Sequence, residues 1–551
     1  MIIMFPDALQ VRKERLDSLA SVEFDVLIIG GGITGAGVAW DAALRGLKVA
    51  IIDKEDFGAG TSSGSSKLVH AGIRYLAYGE FSLVRHASRE RMWMFKHCPH
   101  QTSPIPFLIP IYKKGKNSLP KLLFAGIMYD ILSFFKNTKN HKFLSRKKTL
   151  EKIPNLKSDT LKRSLYYFDG VMDDARVTLE TILAARDKGA ICVNHLEVIN
   201  LDIQRNPDDK NPLKSVEVMD KLNGNKFWIK AKTIVNATGP WTDKLLGKVN
   251  YPKKLLRTTK GIHIITKRLV KDNTVVVITA DDDRGMFVIP FRKNYSLIGT
   301  TDTFYNDDYD HVEVTQDDID YTVSAVNNDF PGIITKKDVI SAYSGIRPLL
   351  ISPKAKSETD TSRGFEIIET HPRFFTITGG KYTIFRHMAE KMVDKLIKTL
   401  RLDKSKYKCK TKTNYLHGGK DIIDITKYIS KNVFQAINKY KLPEDIAEHI
   451  VHTYGTAHTK VLKFIDTDKR LAERIGKNRP HILAEIHYTI NQEICFTLSD
   501  FMLRRTQLQL IDNQGLDCIE KISNEMAPLL GWNEGEKKKQ IEDYKKNLVW
   551  K

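Results

Sequence analysis

The chain has 551 residues, a length that suits two or three domains, each large enough to bury its own core. Its composition, 42% hydrophobic and 28% charged, is typical of a soluble globular protein and excludes extensive disorder. The formal net charge of +21 suits an anionic substrate, an anionic membrane surface or nucleic acid, and a generally lysine-rich chain explains it equally well.

Residues 1–23 are predicted to be a mixed-charge, helical lead-in, because they lack the order of a secretory signal. The cysteines contain no C-x-x-C pair, which argues against both a disulfide framework and a zinc site. They are Cys98, Cys192, Cys409, Cys495 and Cys518. We therefore expect a reducing compartment, the cytoplasm, and no metal centre.

Residues 24–53 have the pattern of a dinucleotide-binding unit, with a strand, a small-residue helix and a second strand in that order. Gly30, Gly32 and Gly35 fill the G-x-G-x-x-G positions, and Asp53 ends the second strand. The glycines allow a tight turn, close approach of a pyrophosphate and close helix packing, while Asp53 accepts from a ribose hydroxyl. An ordinary glycine-rich turn is the alternative, and the motif does not choose between FAD and NAD.

Three later features can extend this site. The polar loop Gly58–Ser66, followed by Lys67, offers amides, hydroxyls and a cation to a second part of the cofactor, unless it is a flexible linker. Gly239 follows a predicted buried strand, where ligands approach open α/β sheets, although a simple turn fits as well. The residues Gly379–Lys381 lead into a second predicted helix, whose N-terminus can face an electron-rich group.

The apolar run Phe124–Phe135 comes nearest to a membrane-spanning segment, but it is shorter than the ~18 to 20 residues required. It is interrupted by Asp130, and lysines and arginines flank it throughout the segment Lys113–Lys148. A basic amphipathic segment of this kind can rest on an anionic membrane face. A core helix with solvated lysine ends explains the pattern equally well.

The fold class predicted from these patterns is α/β, with a Rossmann-like cofactor-binding domain at residues 24–400. Consecutive short strands, mainly at about 255–345, predict an inserted antiparallel β-sheet that forms a substrate domain. A cationic linker at 401–412 leads to an all-helical C-terminal domain at 413–551. Within it, apolar residues recur every fourth position over 486–502 and predict one continuous helix.

Motifs from Phe24 onward cover nearly the whole chain. They read GGGITGAGVAWDAALRG, TSSGSSKLVHAGIRYL, EFSLVRHASRERM, DDARVTLE, VNATGPW, TKGIHI, IGTTD, SGIRPL, GGKYT, YLHGG and FTLSDFMLRRTQL. Together they resemble the FAD-dependent glycerol-3-phosphate dehydrogenases. The resemblance implies an FAD enzyme that oxidises sn-glycerol 3-phosphate to dihydroxyacetone phosphate by hydride transfer to flavin N5 and passes the electrons to a respiratory quinone. It also implies that the protein can attach peripherally to the cytoplasmic face of the membrane, and it leaves a homodimer open.

The resemblance also implies a set of site residues. The substrate-binding side chains are Arg74, Tyr75, His263, Arg347 and Arg363. His263 suits a general base, Arg347 would stabilise the developing alkoxide, and Lys381 would place positive charge near flavin N1. Arg74 joins these three as a catalytic residue, and whether His263 or Arg347 removes the hydroxyl proton stays open. The implied FAD contacts are Gly30, Gly32, Ile33, Thr34, Gly35, Asp53, Thr61, Ser65, Lys67, Val198, Gly239, Gly380, Lys381 and Tyr382.

Three other functions compete with this interpretation. An oxidase would give the electrons to oxygen and produce hydrogen peroxide. A flavin-bearing nucleic-acid-binding protein is compatible with the net charge of +21. The sequence lacks the aromatic and basic signature of RNA-binding modules, so no nucleic acid is expected. A catalytically inactive scaffold is disfavoured because Arg74, His263, Arg347 and Lys381 are all present.

Overall fold

The computed structural model describes residues 7–113, 117–133, 137–203, 214–351 and 364–550. The strands are β1 (Glu23–Phe24), β2 (Val26–Ile29), β3 (Val49–Ile52), β4 (Thr102–Tyr112), β5 (Lys142–Ser145), β6 (Leu161–Met172), β7 (Ile191–Val193), β8 (Leu196–Asp202), β9 (Lys214–Asp220), β10 (Lys226–Ala231), β11 (Ile234–Asn236), β12 (Leu256–Lys267), β13 (Val275–Thr279), β14 (Gly285–Phe291), β15 (Tyr295–Gly299), β16 (Thr303–Phe304), β17 (Ser341–Leu350), β18 (Phe365–His371) and β19 (Phe374–Gly379).

The α-helices are α1 (Ala8–Ser21), α2 (Ile33–Leu44), α3 (Phe81–His97), α4 (Leu119–Leu132), α5 (Arg146–Lys152), α6 (Asp174–Arg186), α7 (Thr242–Gly247), α8 (Gln316–Asp329), α9 (Phe385–Thr399), α10 (Ile425–Tyr440), α11 (Glu444–Tyr454), α12 (His458–Thr467), α13 (Leu483–Gln492), α14 (Ile519–Leu530) and α15 (Glu534–Lys546). In the part of the chain that the structure describes, no helix is both long and apolar enough to cross a bilayer.

The nucleotide sheet has the strand order β18-β19-β11-β2-β3-β7, and it is parallel except for the edge strand β18. Every residue of β2 and β3 is buried, which explains why both strands are continuous apolar runs. Helix α2 connects them and is buried along almost its whole length. It packs against α9 closely, since a Cβ at Gly37 would lie 2.9 Å from the ring of Phe385.

The cap sheet has the strand order β16-β12-β15-β14-β13-β4-β6-β5, with β17 paired to β12. It is antiparallel apart from the pairing of β13 with β4. Strands β12 to β15 come from the segment predicted to form the substrate domain. Residues 102–172 supply β4, β5 and β6 to the same sheet. A smaller sheet, β1-β10-β9-β8, flanks the nucleotide sheet.

The C-terminal domain consists of helices α10 to α15, so the predicted α/β class with an inserted antiparallel sheet and a helical tail is confirmed. The prediction of one continuous helix over 486–502 is wrong. Helix α13 ends at Gln492, and a separate π-helical turn forms at Asp500–Arg505. The chain leaves the helix because Glu493 pairs with the buried Arg176, at 2.7 Å. Arg505 likewise pairs with a buried aspartate instead of facing solvent at a helix end.

Candidate active site

The glycine turn between β2 and α2 is crowded at Gly30, Gly31 and Gly35 and more open at Gly32. A Cβ at Gly30 would lie 2.6 Å from the carbonyl oxygen of Ala237, and one at Gly35 would overlap the carbonyl oxygen of Gly30. Gly32 is the N-cap residue of helix α2, and a Cβ there would meet the hydroxyl of Ser62, at 3.1 Å. Side chains are thus excluded where the turn meets the sheet, and space remains beside Gly32. This cradle fits a pyrophosphate at the helix N-terminus.

Asp53 lies directly after β3, facing the same turn. Its carboxylate accepts hydrogen bonds from the backbone N–H of Gly31, at 2.6 Å, and of Glu55, at 2.9 Å. Burial raises the pKa of Asp53 to about 6, in opposition to these two hydrogen bonds. The carboxylate is therefore positioned to accept from ribose hydroxyls, as the motif predicts.

The polar loop after Asp53 packs directly against strand β17 of the cap sheet. A Cβ at Gly64 would lie 2.8 Å from the carbonyl oxygen of Ser344, so the two backbones touch. The Thr61 hydroxyl donates to the carbonyl of Ile346, and the Tyr343 hydroxyl donates to the carbonyl of Ser65, at 2.6 Å. The loop is therefore an ordered bridge between the cofactor half and the cap, and the linker alternative is wrong.

Asp174, at the start of α6, connects three predicted cofactor contacts. It accepts from the Ser65 hydroxyl at 2.7 Å and forms a buried ion pair with Lys67, while its carbonyl accepts from the Tyr382 hydroxyl at 2.7 Å. Lys67 also donates to Gln507 of the C-terminal domain, at 2.7 Å. This role of Asp174 is not predicted from the sequence. The only signal was the motif DDARVTLE, which contains Asp174.

His263 lies in β12, buried on the face of the cap sheet that meets the polar loop. Its Nε2 is 2.8 Å from the hydroxyl of Ser66, and its ring stacks on Tyr343 at 4.9 Å between centroids. Nδ1 is buried without a hydrogen-bond partner among the described residues. Burial, together with the positive charges of Arg347 and Lys67, lowers the pKa of His263 well below its ordinary value. The imidazole is consequently neutral at physiological pH.

Arg347 lies on the same face of the cap sheet as His263. Its guanidinium donates to Asp302 at 2.9 Å, to the Thr300 hydroxyl at 2.8 Å and to the Thr301 carbonyl at 3.1 Å. It packs over Gly261, where any side chain would overlap it. The motif IGTTD contains all three partners, although the sequence analysis assigned them no role.

Lys381 follows two glycines whose φ angles of +77° and +84° favour glycine. Its ammonium lies 4.3 Å from the ring centroid of Tyr75, and a Cβ at Gly72 would lie 3.1 Å from it. The exposed Arg74 lies beside the same ring, 5.7 Å from its centroid. Two cations thus meet at one tyrosine, as an anion-binding site requires.

The remaining predicted contacts are distributed around this core. Ile33 is buried and Thr34 half-buried in the first turn of α2. Gly239 has a φ of +56° just after β11 and faces open space, whereas Val198 lies in β8 of the smaller sheet. Arg363 lies outside the described residues.

Known protein families match both parts of the chain. Residues 25–384 match the family described as FAD dependent oxidoreductase, and residues 409–537 match the C-terminal domain of alpha-glycerophosphate oxidase. The aerobic glycerol-3-phosphate dehydrogenase of Staphylococcus saprophyticus is 36% identical over 552 residues, covering 98% of this chain and 95% of that protein. The protein of the same name from Staphylococcus haemolyticus is 36% identical over 535 residues, covering 94% of this chain and 93% of that protein.

Solved structures are also similar. The glycerol-3-phosphate dehydrogenase from Bacillus halodurans, complexed with FAD, has a TM-score of 0.81 at 29% identity and covers 98% of this chain and 97% of its own. The L-alpha-glycerophosphate oxidase from Mycoplasma pneumoniae, with FAD bound, has a TM-score of 0.55 at 19% identity and covers 69% of this chain and 96% of its own. The second likeness shows the fold alone. The prediction that the cofactor is FAD is confirmed by the family match.

Proposed function

Since the chain belongs to the FAD-dependent glycerol-3-phosphate dehydrogenase family, we propose that it oxidises sn-glycerol 3-phosphate to dihydroxyacetone phosphate. The observation that carries the proposal is the meeting of His263 and Arg347 on one face of the cap sheet, directly against the polar loop of the FAD-binding domain. A neutral base and a forked cation next to the cofactor are the groups that oxidation of an alcohol requires.

His263 takes the hydroxyl proton of the substrate. Its ring is neutral because burial and nearby cations lower its pKa, so it has a lone pair available at physiological pH. Stacking on Tyr343 and the hydrogen bond to Ser66 fix the plane of the ring. When bound, FAD supplies the acceptor for the hydride that leaves the carbinol carbon.

Arg347 stabilises the oxygen that becomes negative as the proton leaves. Its contacts to Asp302 and to the Thr301 carbonyl hold the guanidinium in place before substrate arrives, so little reorganisation is needed. At the other end, Arg74 and Tyr75 hold the phosphate dianion, and Lys381, whose ammonium lies against the same tyrosine ring, supplies positive charge near flavin N1. Arg363 is proposed to contribute to the same end by family resemblance alone.

Anaerobic titration of the FAD-loaded protein tests the reaction. One equivalent of sn-glycerol 3-phosphate should bleach the flavin absorbance, whereas the enantiomeric sn-glycerol 1-phosphate should leave it oxidised. The Arg347→Ala variant should keep its FAD and fail to bleach. A wild-type flavin that stays oxidised in saturating sn-glycerol 3-phosphate would overturn the proposal.

A quinone is the proposed electron acceptor, and oxygen is the alternative. The reduced enzyme from the titration is mixed either with a soluble quinone analogue or with air. Fast reoxidation by the quinone, with little peroxide formed in air, supports the dehydrogenase. Stoichiometric hydrogen peroxide at a similar rate in air would make the protein an oxidase.

The outer face of helix α4 supports attachment to a membrane, where quinones are found. Five large apolar side chains on it are each 37–57% exposed, namely Leu119, Leu123, Phe124, Ile127 and Ile131. Asp130, which interrupts the apolar run in the sequence, is buried on the inner face and accepts from Asn137 and His141. Three exposed lysines lie in or shortly after this helix, namely Lys121 within it and Lys139 and Lys142 beyond its C-terminal end. Such a surface fits an anionic bilayer.

Flotation of the FAD-loaded protein with vesicles of phosphatidylglycerol and phosphatidylcholine tests this attachment. The wild type should float, and the double variant Phe124→Glu/Ile127→Glu should stay at the bottom of the gradient. Phe434→Glu is the matched control, because Phe434 is 69% exposed on a helix of the other domain. Binding that is absent in the wild type, or equal in both variants, would contradict the proposal.

A further inference from the structure

We propose that His449, His481 and Glu485 form a binding site for a divalent transition-metal ion of the zinc class in the C-terminal domain. His449 lies on α11, His481 precedes α13, and Glu485 lies in the first turn of α13. One ligand atom from each residue lies within 4.8 Å of the others. The cysteine spacing predicts no metal centre, and these three residues belong to none of the motifs identified in the sequence.

The ligand types suit such an ion. Two imidazole nitrogens and one carboxylate oxygen bind zinc at roughly 2.0–2.2 Å and leave a fourth position for water. In a tetrahedral site these bond lengths place the ligand atoms about 3.5 Å apart. Binding would therefore shorten separations that now reach up to 4.8 Å and would move Nε2 of His449 and Oε1 of Glu485, now 2.9 Å apart, slightly away from each other. His481 and Glu485 are buried, while His449 is half-buried and gives an ion access from the surface.

Neighbouring groups form hydrogen bonds to the ligand side chains and orient them, as is usual in metal sites. Oε2 of Glu485 accepts from the backbone N–H of Ile482 at 2.8 Å, and Oε1 accepts from the Tyr454 hydroxyl at 3.0 Å. The Thr453 hydroxyl lies 3.3 Å from Nδ1 of His449, which leaves Nε2 of that ring for the ion. Glu485 and His449 are thereby oriented, and each keeps a lone pair that can bind an ion.

His481 provides the observation that favours an ion over a simple hydrogen-bonded cluster. Nε2 of His449 is 2.9 Å from Oε1 of Glu485, so these two residues can satisfy each other without metal. Nδ1 of His481 is buried without a hydrogen-bond partner among the described residues. An ion bound through this nitrogen would satisfy it, whereas the hydrogen-bonded pair leaves it unsatisfied.

The ligand types restrict which ion the site can hold. Of the two guanidiniums that act on His481, those of Arg292 and Arg479, the second is paired with Asp517 at 2.5 Å. With a single carboxylate among its three ligands, the site is poorly suited to calcium or magnesium, which require several oxygen ligands. Zinc or cobalt bound mainly by imidazoles is the expected occupant.

Metal titration of the full-length, FAD-loaded protein tests the proposal after treatment with a chelator. We expect one equivalent of Zn²⁺ to bind in calorimetry, and one equivalent of Co²⁺ to give the visible absorption of a tetrahedral site at wavelengths beyond the flavin bands. Zn²⁺ should also raise the thermal unfolding midpoint. These readouts do not depend on flavin reduction, so their failure is distinguishable from failure of the proposed function.

The variants His481→Ala and Glu485→Gln should lose the bound equivalent and the cobalt absorption. His487→Ala is the matched control, because His487 lies on the same helix and pairs with Glu525 at 2.7 Å outside the cluster. His449→Gln, at the most exposed ligand, serves if a buried variant does not fold. Binding that is absent in the wild type, or that survives in His449→Gln and His481→Ala, would overturn the proposal.

Discussion

The hydroxyl of Ser66 lies 2.8 Å from Nε2 of His263, so the polar loop of the FAD-binding domain positions a side chain of the cap sheet. The two residues come from segments far apart in the sequence. Their contact couples the placement of the proposed base to the loop that is proposed to contact the cofactor.

Replacing Ser66 by alanine removes this contact. We expect anaerobic flavin reduction by sn-glycerol 3-phosphate to slow by about two- to tenfold, because the loss of one ordinary hydrogen bond changes a rate by about that factor. The FAD content should stay unchanged. Stopped-flow absorbance measures the rate. Ser63→Ala is the control, since Ser63 belongs to the same loop and its hydroxyl is not part of the contact with His263. Equal rates in the two variants would show that Ser66 does not position His263.

Arg347→Lys tests the forked geometry of the guanidinium. Lysine keeps the charge but cannot hold Asp302, the Thr301 carbonyl and a substrate oxygen together. We expect flavin reduction to slow by about 10²- to 10³-fold, as when a donor to a developing oxyanion is lost. Arg257→Lys, at an exposed position in β12, should leave the rate unchanged. Nearly normal kinetics in the Arg347→Lys variant would exclude this role.

The local parts of the fold could be predicted from the sequence because their causes are local. Helix α2 forms at residues 33–44, inside the predicted unit 24–53, and the contacts of Gly35 with Gly30 and Ile28 lie within that unit. Strands β13, β14 and β15 follow one another and each pairs with the next, so their pattern is readable in the same way.

The remaining features depend on partners distant in sequence. The apolar period over 486–502 continues past Gln492, but Glu493 pairs with Arg176, which lies 317 residues earlier, and the helix ends. The roles of Ser66 and Asp174 likewise appear only when the loop, α6 and the cap sheet meet. No local pattern could have assigned them.

The buried pair between Asp56 and Arg505 predicts a large loss of stability on mutation. Asp56 is fully buried and its carboxylate holds both Arg505 and Arg504. Asp56→Ala removes the nearest carboxylate from the buried Arg505, and breaking a buried ion pair in this way costs about 3–5 kcal/mol. The midpoint of urea denaturation should fall accordingly. Asp445→Ala removes the exposed partner of Arg474 and should change stability by no more than about 1 kcal/mol. Equal effects would show that the buried pair is not what joins the domains.

Asp53 links the affinity for FAD to pH. Burial raises the pKa of its carboxyl group from 3.8 to about 6, and ribose hydroxyls donate to the ionised form. FAD therefore binds better to the deprotonated protein, so its affinity should rise as the pH increases through about 6 and fall by up to tenfold per pH unit below it. The stability of the apoprotein depends on pH in the opposite direction. The contribution of Asp53 to folding stability is fully present below pH 3.8 and is lost as the pH rises through about 6. Fluorescence titration of FAD between pH 5 and pH 8 measures the affinity, and Asp53→Asn should bind more weakly with a flat profile. A variant that keeps the pH dependence of the wild type would assign the effect to another group.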